Sequence, residues 1–290
     1  MTFINPFETK GNWYKANLHC HTTKSDGKMT PAERVEQYKK NGYSVLAITD
    51  HNAVTDVSGL SSPDFLVVQS VELHPPDGDS LHHIVALNMP LGFSMADGED
   101  ALKLMKRVKD AGGIAFLAHP NWLGQDANSL MQYTDSLGIE VYNSTCARMA
   151  KPLSSVQWDD MLQRGARIVA IAVDDAHTEE EEVFDGWVWL KMPGLTSTAV
   201  IQALKTGCFY SSTGPEIKDI NICDGIMKVE CSPVKHISFV ADRWNGIRIS
   251  AKKGEELTHA ELPIPQSAKY IRIECTDIYG KTAWSNPFFF

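Results

Sequence analysis

Short apolar runs alternate with amphipathic stretches from Ala16 to about Gly207. Eight runs predict strands: YKANLH from Tyr14, SVLAIT from Ser44, FLVVQSVE from Phe65, HHIVAL from His82, GIAFLA from Gly113, GIEVYN from Gly138, RIVAIAV from Arg167 and WVWLKM from Trp187. Their brevity and their Val, Ile and Leu content fit strands covered on both faces of a parallel sheet. The stretches between them carry helix punctuation. TPAERVEQYKKNG has Thr30 as N-cap, Pro31 in the first turn, Glu33 to close a capping box and Gly42 after the last turn. DALKLMKRVKDAGG, SSVQWDDMLQRG and TSTAVIQALKTG also end on glycines.

Repeated strand-then-helix units predict an α/β fold, and seven or eight such strands favour a barrel over residues 1–207. After Gly207 the pattern changes to alternating runs such as IMKVEC, HISFVAD, IRISAKK and YIRIECTD, with no convincing helix. Residues 208–290 therefore read as a small antiparallel, β-sandwich-like accessory domain.

Composition narrows the class. With 290 residues, 43% hydrophobic and 22% charged, the chain reads as an ordinary soluble globular protein. There is no apolar run long enough to span a membrane, and the start lacks the features of a signal peptide. Six scattered cysteines without a CxxC pair read as reduced thiols, which together predict a cytoplasmic location. A net charge of −9 argues against a long nucleic-acid partner. The acidic run TEEEEVFD, Thr178 to Asp185, reads as a solvated loop.

The chemistry lies at the strand ends. His19 and His21 close the first strand, His51 follows the second and Glu72 closes the third. His119 follows GIAFLA, and Asp175 and His177 follow RIVAIAV. In a (β/α) barrel these ends meet at one rim. His83 starts its strand, so it joins the set only if that strand runs antiparallel. Residues i and i+2 of a strand point the same way, so His19 converges with His21 while Cys20 turns outward as a small buried hydrophobe. With Asp26, nine candidates mix imidazole with carboxylate and lack thiolate. That donor set suits two or three divalent ions of Zn, Mn or Fe.

NLHCHTTKSDG, LAITDHN, the VE at Glu72, HIVAL, LAHP and VDDAH together resemble the PHP (polymerase and histidinol phosphatase) metallohydrolase family over residues 13–207. TTKSDG, SSTGP and AWSNPF are closest in wording to its carbaryl-hydrolase and microcin-processing-like members. The resemblance implies a distorted (β/α)7, TIM-like barrel with a trinuclear centre. One ion would be held by His19, His21, Glu72 and Asp175, a second by Glu72, His83 and His119, and a third by Asp26, His51 and His177. HHIVAL leaves His82 open as the alternative to His83. His74, His236 and His259 match no motif and read as surface residues or as residues packed just behind the ligands.

The implied activity is hydrolysis of a small phosphomonoester by a metal-bridging hydroxide, with Lys24 and Arg148 as anion-binding candidates and His177 at the reacting end. No membrane partner is expected. Two rivals remain. One is a carbamate, ester or amide metallohydrolase, which a pocket without a fixed cation would favour. The other is a non-catalytic PHP module.

Overall fold

The computed structural model describes residues 3–77 and 80–290. Asn12–Asn17 pairs in parallel with Val45–Ile48, which pairs in parallel with Leu66–Leu73. Ile84–Leu87 comes next and is antiparallel to both Leu66–Leu73 and Ile114–Leu117. Gly138–Asn143 and Val169–Val173 complete the series in parallel. The two ends of this series meet. Cys20 and Ala176 form a parallel bridge, and the Asp175 amide donates to the His19 carbonyl at 2.9 Å. The reversal of Ile84–Leu87 puts its amino end, where His83 sits, beside its neighbours' carboxyl ends.

Val45–Ile48, Ile84–Leu87, Ile114–Leu117 and Val169–Val173 are buried at every position, as strands covered on both faces must be. Alternate residues go to different clusters: Val85 and Leu87 pack with Val45 and Ala47, while Ile84 and Ala86 pack with Ala115 and Leu117. The first helix begins as predicted. Thr30 and Glu33 form the capping box of Pro31–Lys40, and Asp100 and Thr196 cap Ala101–Asp110 and Ser197–Lys205. Ser154, at the start of Ser155–Gln163, makes no side-chain cap.

Trp187–Met192 departs from the parallel series. It runs antiparallel to Asn12–Asn17 and to Phe209–Ser212, with alternating rather than continuous burial. It therefore leads the sheet outward, through Phe209–Ser212, into Thr282–Ser285, Tyr270–Thr276 and His236–Ala241. A second antiparallel sheet of Ile217–Cys223, Ile226–Val234 and Leu257–Pro263 shares an apolar cluster with it. No helix follows Lys205 among the described residues. The hydrogen-bonded sheet is continuous across Gly207, where sequence placed a boundary. No helix among the described residues is long and apolar enough to cross a membrane.

Candidate metal centre

The first-strand register aims His19 and His21 at the same point. Their Nε2 atoms are 3.1 Å apart, and Asp175 Oδ1 lies 3.2 Å from one and 3.0 Å from the other. Glu72 Oε2 is 3.5 Å from His19 Nε2 and 3.4 Å from His21 Nε2. Ligand atoms about 2.0–2.2 Å from one ion stand about 2.8–3.6 Å apart, so these four atoms have the spacing of a coordination shell. Asp175 Oδ1 is buried and has no hydrogen-bond partner despite these neighbours. Its lone pairs face a common point instead of an N–H.

Glu72 serves two sides. Its Oε1 is 2.9 Å from His83 Nδ1 and 3.5 Å from His119 Nε2. A third group forms around Asp26 Oδ1, 3.4 Å from His51 Nε2 and 3.6 Å from His177 Nε2, with His21 Nδ1 at 3.8 Å. The His177 Nδ1–H donates to the Asp175 carbonyl at 2.7 Å, which leaves the Nε2 lone pair inward. Every candidate metal group among the described residues draws on positions 21–177 or on His19, and none on His236 or His259. His83 belongs to the cluster, whereas the His82 ring bonds the Tyr133 hydroxyl and the Gln125 amide.

The local backbone is bent to reach this geometry. His119 at φ 31° and Asp175 at φ 56° occupy the left-handed region, which non-glycine residues adopt only when their surroundings enforce it. Gly27 answers a close approach: a Cβ there would meet the His21 carbonyl at 2.5 Å. This lets the loop fold back to present Asp26.

Three buried carboxylates escaped the sequence reading. Glu140 accepts from His19 Nδ1 at 2.7 Å and from the His119 amide at 2.8 Å, so it sets the His19 ring with Nε2 inward. Asp50 accepts from the Thr22 amide and hydroxyl, each at 2.7 Å, and anchors the Asp26 loop. Asp174 accepts from Tyr38 and from the amides of Phe184, Asp185 and Gly186. Burial pushes its carboxyl up to about 6 even though these donors pull it down. The adjacent acids of VDDAH were a readable signal for Asp174, since one of the pair must point away from the cluster, and Asp50 beside His51 in TDHN must likewise face away from it.

His74 is another departure. Sequence left it on the surface or just behind the ligands, but its ring lies among those of His51 and His83. Strand alternation from Glu72 was the available signal.

The centre opens into a cavity of about 220 Å³ whose remaining wall is Trp122, Thr145, Cys146 and Met149. Lys24 and Arg148 are not on that wall. Lys24 is exposed, and Arg148 is held by Glu182 and lies 3.9 Å from Glu181. The acidic run is thus not simply a solvated loop, because Glu182 is buried against Arg148 and the His177 amide. A larger groove of about 950 Å³, lined by Lys106, Lys109 and Arg164, contains no histidine.

Electrostatics favour cation binding. Burial opposes ionisation of Glu72, but His19 and hydrogen bonds from His119 and His51 hold its carboxyl well below the usual range. Burial lowers His19 and His119, and their acidic neighbours more than reverse this, so both imidazoles are raised. Protons on these rings must leave before a metal binds. Zinc affinity of the stripped protein should therefore fall at least about tenfold from pH 8 to pH 6, with proton release on binding measured by calorimetry in buffers of different ionisation enthalpy. An affinity independent of pH would contradict this charge assignment.

Residues 17–151 match the PHP domain family. A 5'-3' exoribonuclease of Haemophilus influenzae is 42% identical over 115 residues, 37% of this chain and 42% of that protein. The chain thus spans less than half the length of this curated relative. A crystal structure of a two-domain protein from Bacteroides vulgatus, described as containing a predicted PHP-like metal-dependent phosphoesterase, aligns over 96% of this chain and 94% of that one. Its TM-score is 0.55 at 14% identity, a likeness of fold. An amidohydrolase from Chromobacterium violaceum with bound sulfate aligns over 58% of this chain and 89% of that one, with a TM-score of 0.48 and 15% identity.

Proposed function

Because this chain carries a PHP domain over residues 17–151, we propose that it is a metal-dependent phosphoesterase acting on a small phosphomonoester. The observation that carries the reading is Glu72, whose two oxygens face separate imidazole sets, the arrangement for a carboxylate shared by two ions. Two or three ions of Zn, Mn or Fe fit the nine donors. When bound, they supply Lewis-acid neutralisation of phosphoryl oxygens and ionise water near neutral pH. The protein's own part is to fix the donors, through Glu140 and the His177–Asp175 hydrogen bond, and to shape the cavity. We read the closed seven-strand series as the distorted (β/α)7 barrel and residues 208–290 as its accessory β-sandwich. The six unpaired cysteines fit a cytoplasmic setting.

The exoribonuclease relative's name points to phosphodiesters, whereas a cavity of about 220 Å³ beside an acidic run suits a smaller substrate. The second reading, a carbamate, ester or amide hydrolase, has one observation in its favour: the described cavity wall holds no Lys or Arg.

The test is a hydrolysis panel with Mn²⁺: nucleotides, sugar phosphates, 5'-phosphorylated oligonucleotides and neutral esters and carbamates. Phosphate release from monoesters is expected, lost with chelator and restored by Mn²⁺. Cleavage of neutral substrates alone would establish the second reading. Lys24→Ala should raise KM for anionic substrates about threefold and leave metal content intact, since an exposed cation acts through screened attraction.

A further inference from the structure

We propose that His74 is a metal ligand, forming with His51 and Glu72 a further seat for a divalent transition ion. The proposal rests on the metal-centre reading above only in taking Glu72 and His51 to face ions. His74 lies two residues beyond Glu72, on the same face of the extended chain. Its ring stacks on His83 with centroids 4.0 Å apart and planes at 25°, and lies 4.7 Å from the His51 ring. His74 Nε2 is 3.6 Å from Glu72 Oε2, and His51 Nδ1 is 2.9 Å from the same oxygen. Both nitrogens are buried; His74 Nε2 has no hydrogen-bond partner, and His51 Nδ1 has only the Glu72 oxygen beside it. The three donor atoms lie within 4.8 Å of one another.

Buried polar atoms in folded proteins nearly always have a partner. Two imidazole lone pairs and a carboxylate oxygen facing inward share one natural partner, a divalent cation of borderline softness. The outer edge of the ring allows the required tautomer. The Asn52 side-chain nitrogen lies 3.5 Å from His74 Nδ1, a flip of that amide exchanges its oxygen for the nitrogen, and the Asn52 backbone N–H donates to the Glu72 carbonyl at 2.7 Å, which holds the residue in place. With its amide oxygen turned toward Nδ1–H, His74 keeps the Nε2 lone pair directed at Glu72.

His51 links this seat to the known cluster. Its Nε2 faces Asp26 at 3.4 Å while its Nδ1 faces Glu72. A neutral imidazole has a single ring nitrogen with a lone pair to give. The ion bound by His51 therefore has two alternative seats, one with Asp26 and His177, the other with Glu72 and His74.

Zinc-soaked crystals of the full Asp26→Ala chain, in which His51 keeps only the seat with Glu72 and His74, test this directly by anomalous diffraction. An anomalous peak about 2.0–2.1 Å from His74 Nε2 is expected. Zinc bound elsewhere in the cluster, with no peak within about 3 Å of that nitrogen, would overturn the proposal. Metal content in solution gives a second test. Asp26→Ala removes the first seat, so it should retain as much zinc as the wild type. Adding His74→Ala, or His74→Gln, should then cost about one ion per chain, since glutamine keeps hydrogen bonding but offers no imidazole nitrogen. Equal zinc in Asp26→Ala and both double variants would refute the second seat while leaving the phosphoesterase reading intact. A wild-type chain that binds no zinc or manganese would overturn both.

Discussion

Glu72→Ala should lower hydrolysis by on the order of a thousandfold or more and strip most of the bound metal. Its two oxygens face His19, His21 and His51 on one side and His83 and His119 on the other, and its side chain is 1% exposed. Removing it takes a donor from two ion positions at once. It also leaves neighbouring imidazoles without the negative charge that offsets the mutual repulsion of closely spaced cations. Glu72→Gln, which keeps the volume and one neutral oxygen, should retain some metal but little activity. Elemental analysis beside a phosphate-release assay reads both effects. His259→Ala, on an exposed strand far along the chain, is the control and should change neither. If Glu72→Ala kept wild-type metal content, the shared-carboxylate reading would fail.

The second large effect concerns stability rather than chemistry. Arg272→Ala should destabilise the fold by about 3 kcal/mol, because breaking a buried ion pair leaves the partner's charge uncompensated. The Arg272 side chain is 1% exposed; its Nε and Nη2 donate to Asp159 at 2.9 and 2.7 Å, and it also pairs with Glu274. The guanidinium carbon lies 4.3 Å from the centre of the Trp158 ring. Asp159 and Trp158 belong to the Ser155–Gln163 helix, so one side chain ties the α/β region to the late antiparallel strands. Asp159 is part-buried, and burial already raises its carboxyl despite Arg272. Replacing Arg272 by Met and Asp159 by Leu together should recover much of the loss, since apolar groups of similar volume need no counter-ion. Urea unfolding measures both variants. A shift under about 0.5 kcal/mol for Arg272→Ala would mean that solvent reaches Asp159 and screens it.

Local pattern determined a good deal about this protein. Strand runs, the capping box at Thr30, and imidazoles and carboxylates at strand ends are written in spacings of two to four residues, which the chain obeys wherever it folds. That is why His19, His21, Glu72, His119 and Asp175 were legible, and why the antiparallel strand at His83 followed from the need to bring it to the same rim. Tertiary structure alone decided the rest. Trp187–Met192 reads in sequence as one more strand of the parallel series, yet its burial alternates and it pairs antiparallel, carrying the sheet outward. Arg148 has the look of an anion-binding residue until Glu182, 34 positions later, claims it. Glu140 meets His19 across 121 positions. Such contacts depend on strand register and on rotamers set by packing, and neither leaves a period in the sequence. His74 stands between the two cases: alternation places it beside Glu72, but only the fold stacks His51 and His83 around it and removes every ordinary partner from its inner nitrogen.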